Sequence, residues 1–160
     1  MSVTIYTDGS SKGNPGNGGD GVVLISGAHR KELSKGFRAT TNNRMELLAV
    51  IVALESLKKF NTEATLYSDS KYVVDAIKKK WVFEWEKKNF QKKKNPDLWI
   101  RFLKVYRKHK VSFIWIKGHN NDMENERCDF LAVQAAQDKK SLNVDSWYED
   151  NVIKSAGNLF

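Results

Sequence analysis

The chain has 160 residues, of which 41% are hydrophobic and 11% aromatic, with only two prolines and ten glycines. This composition excludes a disordered, collagen-like or low-complexity chain and indicates one folded domain with a substantial core. No apolar run approaches the roughly 18 residues that a membrane-spanning helix needs, and no basic-then-apolar leader opens the sequence. A single cysteine, Cys128, excludes an internal disulfide. We therefore expect a reducing location without membrane contact, which is the cytoplasm by default or the nucleus if there is one. The sequence gives no oligomer signal, so a monomer is the default expectation.

The net charge of +8 is concentrated in one stretch of the chain. Residues 71–110 contain 14 Lys or Arg and 4 Asp or Glu, whereas the other 120 residues contain 13 and 15. The aromatic residues Trp81, Phe83, Trp85 and Phe90 lie among these lysines. Basic and aromatic side chains together are typical of a nucleic-acid-binding surface, although a solvated helix face is the simpler alternative.

In chain order, the sequence pattern predicts three strands, a long helix, and then strands that alternate with helices. The expected strands are 3–8, 22–25, 31–37, 64–68 and 111–116, with a glycine-rich loop at 9–21 and a second loop at 118–122. The expected helices are 40–59, 70–79, 95–109 and 124–139. This order predicts an α/β fold with a mixed five-stranded sheet, in which parallel strands extend an antiparallel meander.

Two acidic residues lie on helix faces that should be buried. Glu46 has apolar residues at the i+3, i+4 and i+7 positions of the predicted helix 40–59, and Asp129 repeats this pattern in the predicted helix 124–139. An unpaired buried carboxylate is costly, so each needs a partner or a metal ion. The alternative is that the positive end of the helix dipole stabilises each carboxylate near a helix start.

Two further carboxylates, Asp8 and Asp69, end predicted strands, where an α/β sheet often presents its active site. A turn at Asp8 and a helix cap at Asp69 are the ordinary alternatives. A cluster of Asp8, Glu46, Asp69 and Asp129 would suit Mg²⁺ or Mn²⁺, and two such ions roughly 4 Å apart serve phosphodiester hydrolysis. His119, in a loop upstream of Asp129, is a candidate proton shuttle beside such a cluster.

Six short motifs follow one another in register along the chain. They are YTDGS at 6–10, GNPG at 13–16, TTNNRME at 40–46, SDS at 68–70, KGH at 117–119 and ENERCD at 124–129. With these motifs the chain closely resembles bacterial type 1 ribonuclease H over residues 2–148. The resemblance implies the ribonuclease H fold, with helices on both faces of the sheet.

The resemblance also implies a reaction. It is endonucleolytic hydrolysis of the RNA strand of an RNA–DNA hybrid, leaving 5′-phosphate and 3′-hydroxyl ends. Two Mg²⁺ ions, with Mn²⁺ as a substitute, are implied as cofactors. The family's motifs place the metal-binding catalytic carboxylates and the assisting loop histidine at Asp8, Glu46, Asp69, Asp129 and His119.

Substrate contacts are implied in the same way. Asn14, Asn42 and Asn43 match the residues that contact the minor groove and the RNA 2′-hydroxyls. Thr41 and Asn95 match the pocket for a phosphate of the DNA strand. The segment at about 78–94, with Trp81 and Trp85, resembles the basic protrusion that binds the DNA strand. The family domain is expected at 1–148 and a flexible tail at 149–160, whose apolar end, Leu159 and Phe160, could be a docking peptide.

The sequence departs from the family pattern at Ala39, where an arginine is common, and Arg38 stands one place early. The loop after His119 also lacks the expected glycine and proline. Two other functions stay open at this point. A non-catalytic hybrid-binding module would explain the basic segment, and a DNA-cutting nuclease of the same fold would explain the carboxylates.

Overall fold

The computed structural model describes residues 2–157, so the apolar end formed by Leu159 and Phe160 lies outside the described residues. Six strands form one mixed sheet in the order β5–β4–β1–β2–β3–β6. Their bounds are β1 Ser2–Ser11, β2 Gly16–Ser26, β3 His29–Thr40, β4 Glu63–Ser68, β5 Lys110–Trp115 and β6 Leu142–Val144.

The pairing of the strands confirms an antiparallel meander extended by parallel strands. β1, β2 and β3 are antiparallel neighbours, β4 is parallel to β1, and β5 is parallel to β4. The predicted number of five strands is one too low, because β6 pairs in parallel with β3 over three residues. So short a strand carries no recognisable alternation in the sequence.

Helices cover both faces of the sheet, as the sequence predicts. Their bounds are α1 Asn42–Glu55, α2 Lys71–Lys78, α3 Trp81–Lys87, α4 Pro96–Tyr106, α5 Met123–Gln137, α6 Ser146–Tyr148 and α7 Lys154–Gly157, with a π-helical turn at Glu149–Ile153 between the last two. The main core joins β1, β2 and β4 to α1, α2 and α4. α5 packs on the opposite face, where Gly19 and Gly21 of β2 contact its backbone.

The predicted loop at 9–21 is wrong, because most of its residues belong to strands. β1 continues to Ser11 and β2 begins at Gly16. The glycines of β2 serve close packing rather than a turn: a Cβ on Gly21 would lie 2.1 Å from the carbonyl oxygen of Cys128, and one on Gly19 would lie 2.3 Å from that of Ala132. Only glycine lets α5 approach the sheet this closely.

The helix boundaries follow from their caps. Thr41 precedes α1, and its side-chain oxygen accepts a hydrogen bond from the backbone N–H of Arg44 at 3.2 Å, as expected for an N-cap. The helix ends at Glu55, four residues before the predicted end. α3 was not predicted, and it begins after Lys80, a residue with a positive φ of 62°.

The last described segment is anchored to the domain by one buried arginine. Arg44 of α1 forms ion pairs of 2.7 Å with both Asp97 of α4 and Asp145, which precedes α6. The rings of Trp147 and Tyr148 lie 5.3 and 5.4 Å from its guanidinium carbon. The expected boundary between a domain at 1–148 and a tail stays a prediction. Among residues 2–157, no helix combines the length and apolar character required to cross a membrane.

Candidate active site and nucleic-acid groove

Two of the candidate carboxylates lie directly after the last residues of β1 and β4 that pair in parallel. That pairing ends where Thr7 lies opposite Ser68, so Asp8 and Asp69 are the next residues of neighbouring strands. Asp69 follows β4 directly, whereas Asp8 lies inside β1 and not at its end as predicted. The reason is that β1 continues beyond Asp8 in antiparallel pairing with β2, where Asp8 lies opposite Gly21.

The cap of α2 leaves the carboxylate of Asp69 available. Ser70, and not Asp69, is the N-cap residue, because its side-chain oxygen accepts a hydrogen bond from the backbone N–H of Val73 at 3.3 Å. The ordinary interpretation of Asp69 as a helix cap is therefore wrong. Its carboxylate lies instead in a cavity shared with Asp8.

Glu46 reaches this cavity because α1 passes unusually close to β1. A Cβ on Gly9 would lie 2.2 Å from the backbone nitrogen of Glu46, so the contact requires glycine. One carboxylate oxygen from each of Asp8, Glu46 and Asp69 lies within 4.8 Å of the others. This spacing allows the three oxygens to share one cation.

Asp129 and His119 line the same cavity, whose volume is about 380 Å³. Asp129 comes from α5, on the other face of the sheet, and within the described chain it is not part of the tight three-oxygen group. His119 is exposed on the loop before α5 and has a positive φ of 54°. The structure therefore brings all five predicted catalytic residues to one cavity, and carboxylate oxygens of three of them lie within 4.8 Å of one another.

The electrostatics of the cavity favour a bound cation. Burial raises the pKa of the Asp8 carboxyl to about 8, and the negative charges of Asp69 and Asp129 contribute to this rise. Burial and the charge of Asp8 also raise the pKa of Glu46 well above its ordinary value, and one Glu46 oxygen finds no hydrogen-bond partner among the described residues. Hard oxygen donors with uncompensated negative charge are the ligand set that Mg²⁺ and Mn²⁺ prefer.

One basic residue that the sequence did not single out also lines the catalytic cavity. Lys71 is the first residue of α2, and its ammonium lies 4.8 Å from the ring centre of Trp115. The indole N–H of Trp115 donates a hydrogen bond to the carbonyl oxygen of Asp69 at 3.1 Å. The only signal in the sequence is the position of Lys71 directly after the SDS motif, which does not reveal the contact with Trp115.

The three predicted minor-groove asparagines lie together beside the carboxylates. Asn42 and Asn43 are exposed at the start of α1 and line the catalytic cavity. The side-chain oxygen of Asn14 accepts a hydrogen bond from the backbone N–H of Asn42 at 2.8 Å. The loop between β1 and β2 is thereby fixed to the start of α1.

A second cavity, of about 650 Å³, adjoins the first and shares Asn42 and Asn43 with it. The two residues predicted to bind a DNA phosphate, Thr41 and Asn95, line this second cavity. The side chain of Asn95 is held in place, since its oxygen accepts a hydrogen bond from Arg44 at 3.2 Å and its amide donates to the Tyr72 hydroxyl at 2.9 Å.

The predicted protrusion residues line a third cavity, of about 370 Å³, which shares two lysines with the second. Trp81 and Trp85 form its aromatic wall, and Lys92–Lys94 form its basic rim. The Lys93 ammonium lies 5.1 Å from the Trp85 ring centre. The third cavity also shares Tyr72 with the carboxylate cavity. Through their shared residues the three cavities form one groove that contains both the carboxylates and the basic aromatic surface.

This geometry is typical of one class of protein: α/β nucleases in which carboxylates able to share a cation lie beside a basic, aromatic groove. The sequence profile of the family described as RNase H matches residues 1–137. The chain is 51% identical over 158 residues to the ribonuclease H of Rippkaea orientalis, covering 96% of both chains. It is 56% identical over 140 residues to that of Desulforamulus reducens, covering 84% of this chain and 87% of the relative.

Solved structures agree with these sequence matches. LC9-RNase H1, a type 1 RNase H with the type 2 active-site motif, superposes with a TM-score of 0.76 at 30% identity, covering 97% of this chain and 83% of that one. LC11-RNase H1 in complex with an RNA/DNA hybrid superposes with a TM-score of 0.63 at 29% identity, covering 84% and 96%. The chain belongs to the ribonuclease H family, so the predicted fold and reaction class are confirmed.

Proposed function

We propose that this chain cuts the RNA strand of RNA–DNA hybrids internally, with Asp8, Glu46, Asp69 and Asp129 as the ligands of two Mg²⁺ ions. Mn²⁺ is the expected substitute, and the enzyme acts as a cytoplasmic monomer. The observation that carries the proposal is the approach of the Asp8, Glu46 and Asp69 oxygens to within 4.8 Å of one another.

The side chains of the cavity have different roles in phosphodiester hydrolysis. Bound divalent ions supply an activated water and charge stabilisation at the scissile phosphate. Asp8 and Glu46 provide buried oxygen ligands, and burial together with the neighbouring carboxylates raises both pKa values, so that a bound cation would stabilise their charged forms. His119, exposed at the cavity rim, moves a proton at the departing 3′-oxygen.

Recognition of the RNA strand rests on the asparagines beside the carboxylates. A carboxamide both donates and accepts hydrogen bonds, as a 2′-hydroxyl does, which is the group that distinguishes RNA from DNA. Asn42 and Asn43 are exposed next to the catalytic cavity, and Asn14 is held against them. These three side chains select the RNA strand for cleavage in this proposal.

Recognition of the DNA strand rests on the two cavities farther along the groove. Thr41 and Asn95 contact one phosphate, and Trp81 and Trp85 contact the strand beyond it. Lysines around both cavities supply the charge that attracts a phosphate backbone. The LC11-RNase H1 complex with an RNA/DNA hybrid, at 29% identity, supports a hybrid as the substrate.

The decisive experiment replaces each central carboxylate by its amide. Asp8→Asn, Glu46→Gln and Asp69→Asn should each lower the kcat for hybrid cleavage by about 10³-fold or more, because an amide does not offset the charge of a cation. Thermal melting should show that the fold is retained, and Glu63→Gln, at an exposed position of β4, is the matched control. Full activity in any of the three variants would contradict the assignment.

The identity of the metal is tested with the unchanged enzyme. Cleavage should stop in EDTA and return with Mg²⁺, and Mn²⁺ should restore it less fully. Calorimetric titration without substrate should detect Mg²⁺ binding that Asp8→Asn weakens. Activity that persists in EDTA would contradict the proposal that metal ions supply the nucleophile.

A further inference from the structure

The second cavity has a wall that neither the family motifs nor the predicted substrate contacts include. Trp147, Tyr148 and Val152, from the segment after β6, line it together with Thr41. This segment lies beyond residue 137, where the match to the family profile ends. We define the segment at residues 145–157 as the C-terminal wall.

Buried ion pairs hold the C-terminal wall in place. Asp145, at its start, accepts hydrogen bonds from the side chains of Arg44 at 2.7 Å and Thr40 at 2.8 Å. Arg44 is almost completely buried, and its guanidinium lies over the rings of Trp147 and Tyr148. The same arginine contacts Asn95, so the wall and the predicted phosphate contact share one anchor.

The cavity has the chemistry of a surface for a phosphate backbone. Two exposed lysines, Lys93 and Lys94, line it, and among the described residues that line it none is acidic. All three carboxylates of the C-terminal wall are already paired: Asp145 lies 2.7 Å from Arg44, Glu149 lies 3.1 Å from Arg38, and Asp150 lies 2.9 Å from Lys154. An aromatic face beside lysines suits a nucleic-acid strand, because bases and sugars pack on the ring while the lysines attract phosphates.

We propose that the C-terminal wall contacts the DNA strand of the hybrid, with Trp147 and Val152 as additional substrate-binding residues. This inference rests on the proposed function and extends it. The DNA strand is the occupant because this cavity contains Thr41 and Asn95 and shares Lys93 and Lys94 with the cavity of Trp81 and Trp85. The RNA strand, by contrast, must reach the carboxylates on the far side of Asn42 and Asn43.

Charge changes at Val152 test the proposal without disturbing the buried ion pairs. Val152 is 39% exposed, so both Val152→Lys and Val152→Glu should be tolerated by the fold. The lysine should lower the KM for hybrid cleavage about threefold and the glutamate should raise it about threefold, with kcat unchanged, because one charge interacts with nearby phosphates through water. The matched controls are Val144→Lys and Val144→Glu, at a 45% exposed position of β6 outside the cavity.

A second comparison identifies the strand. Uncharged methylphosphonate linkages are placed in the DNA strand or in the RNA strand, and the KM ratio between Val152→Glu and Val152→Lys is measured for each hybrid. The KM ratio should approach one only for the hybrid whose DNA strand contains the uncharged linkages. Trp147→Leu should raise KM for the unmodified hybrid, whereas Trp147→Phe, which retains an aromatic face, should restore most of the binding.

Three outcomes would overturn the inference. The two Val152 variants could have equal KM values, the Val144 controls could shift KM as much, or neutral linkages in the RNA strand alone could remove the difference. Each result would contradict contact between the C-terminal wall and the DNA strand while leaving hybrid cleavage intact. A parent enzyme that does not cleave hybrids would contradict the proposed function instead, so the two failures are distinguishable.

Discussion

At the scale of single residues, the clearest anomaly outside the active site is Asp20. It lies on β2, is only 1% exposed, and one of its carboxylate oxygens has no hydrogen-bond partner in the described part of the chain. Burial raises its pKa to about 7, although the charge of Lys35 opposes the rise. The sequence could not reveal this, because Asp20 stands in a glycine-rich run that predicts an exposed loop.

Asp20 should make the protein less stable as the pH rises from about 4 to about 7. In that range the folded state holds a proton that the unfolded state, with the ordinary pKa of 3.8, has released. The free energy of unfolding therefore falls by about 1.4 kcal/mol for each pH unit in the range, and above pH 7 this contribution is constant.

Urea denaturation of the parent and of Asp20→Asn at pH 5 and pH 8 measures this effect. The variant cannot ionise, so it should lose less stability than the parent between the two pH values. The comparison isolates Asp20 because Asp8 and Glu46, whose pKa values are also raised, are present in both proteins. Parallel stability losses in the two proteins would contradict the buried, uncompensated charge.

The four carboxylates show what residue patterns can and cannot predict. Asp8, Glu46, Asp69 and Asp129 were recognisable as candidates because apolar stripes and strand ends are local patterns. Their meeting in one cavity depends on register and on the close approach at Gly9, which are tertiary features. The contacts of Lys71 with Trp115 and of Arg44 with Asp145 link distant parts of the chain and have no local signal.

At the scale of elements, glycines decide how closely the helices pack. The contact of Gly21 with Cys128 sets α5 against β2, and α5 carries Asp129 into the catalytic cavity. The sequence predicted most long elements correctly, since strands and helices with regular apolar spacing are local features. It failed where glycines occur inside strands, and it missed α3 and β6 because three to seven residues are too few for a clear period.

The packing role of Gly21 predicts a large effect of one methyl group. Gly21→Ala places a Cβ 2.1 Å from the Cys128 carbonyl, so α5 must move away, at a cost of about 3 kcal/mol or more in the free energy of unfolding. Activity should also fall, because Asp129 moves with the helix. Thermal or urea denaturation and the kcat for hybrid cleavage measure both effects.

Gly27→Ala is the control for this substitution. Gly27 lies in the turn between β2 and β3 with a positive φ of 59°, and nothing lies within 4 Å of its added Cβ. The expected cost is about 1 kcal/mol from backbone strain alone, with unchanged kcat. Equal destabilisation by the two alanines would mean that the contact with α5 is not as close as described.

At the scale of the whole molecule, Lys71 and Lys92–Lys94 line the same groove as the carboxylates. The concentration of charge in residues 71–110 was visible in the sequence, because charge counts need no structure. The position of residues 145–157 along the groove was not visible in the sequence. It depends on the burial of Arg44 between elements about a hundred residues apart. The basic residues of the groove should therefore affect the KM for the hybrid more than the kcat for its cleavage.

The dependence of KM on salt concentration measures how much these lysines contribute to binding. Changing Lys92, Lys93 and Lys94 to glutamine should raise KM and reduce the slope of log KM against log salt by about one for each lysine that contacts a phosphate, with little change in kcat. The same change at Lys59, Lys139 and Lys140, which are exposed and outside the groove, is the control. An unchanged KM and slope in the first variant would contradict the role of the basic rim.

The central claim, hybrid-specific hydrolysis by a carboxylate metal site, is tested most directly by one cleavage assay. Four end-labelled substrates of matched sequence are compared with Mg²⁺ and with EDTA: RNA–DNA hybrid, duplex RNA, duplex DNA and single-stranded RNA. We predict that only the RNA strand of the hybrid is cut, only with Mg²⁺, and with 5′-phosphate and 3′-hydroxyl ends. Binding of the hybrid without cleavage, or cleavage of duplex DNA at a comparable rate, would contradict it.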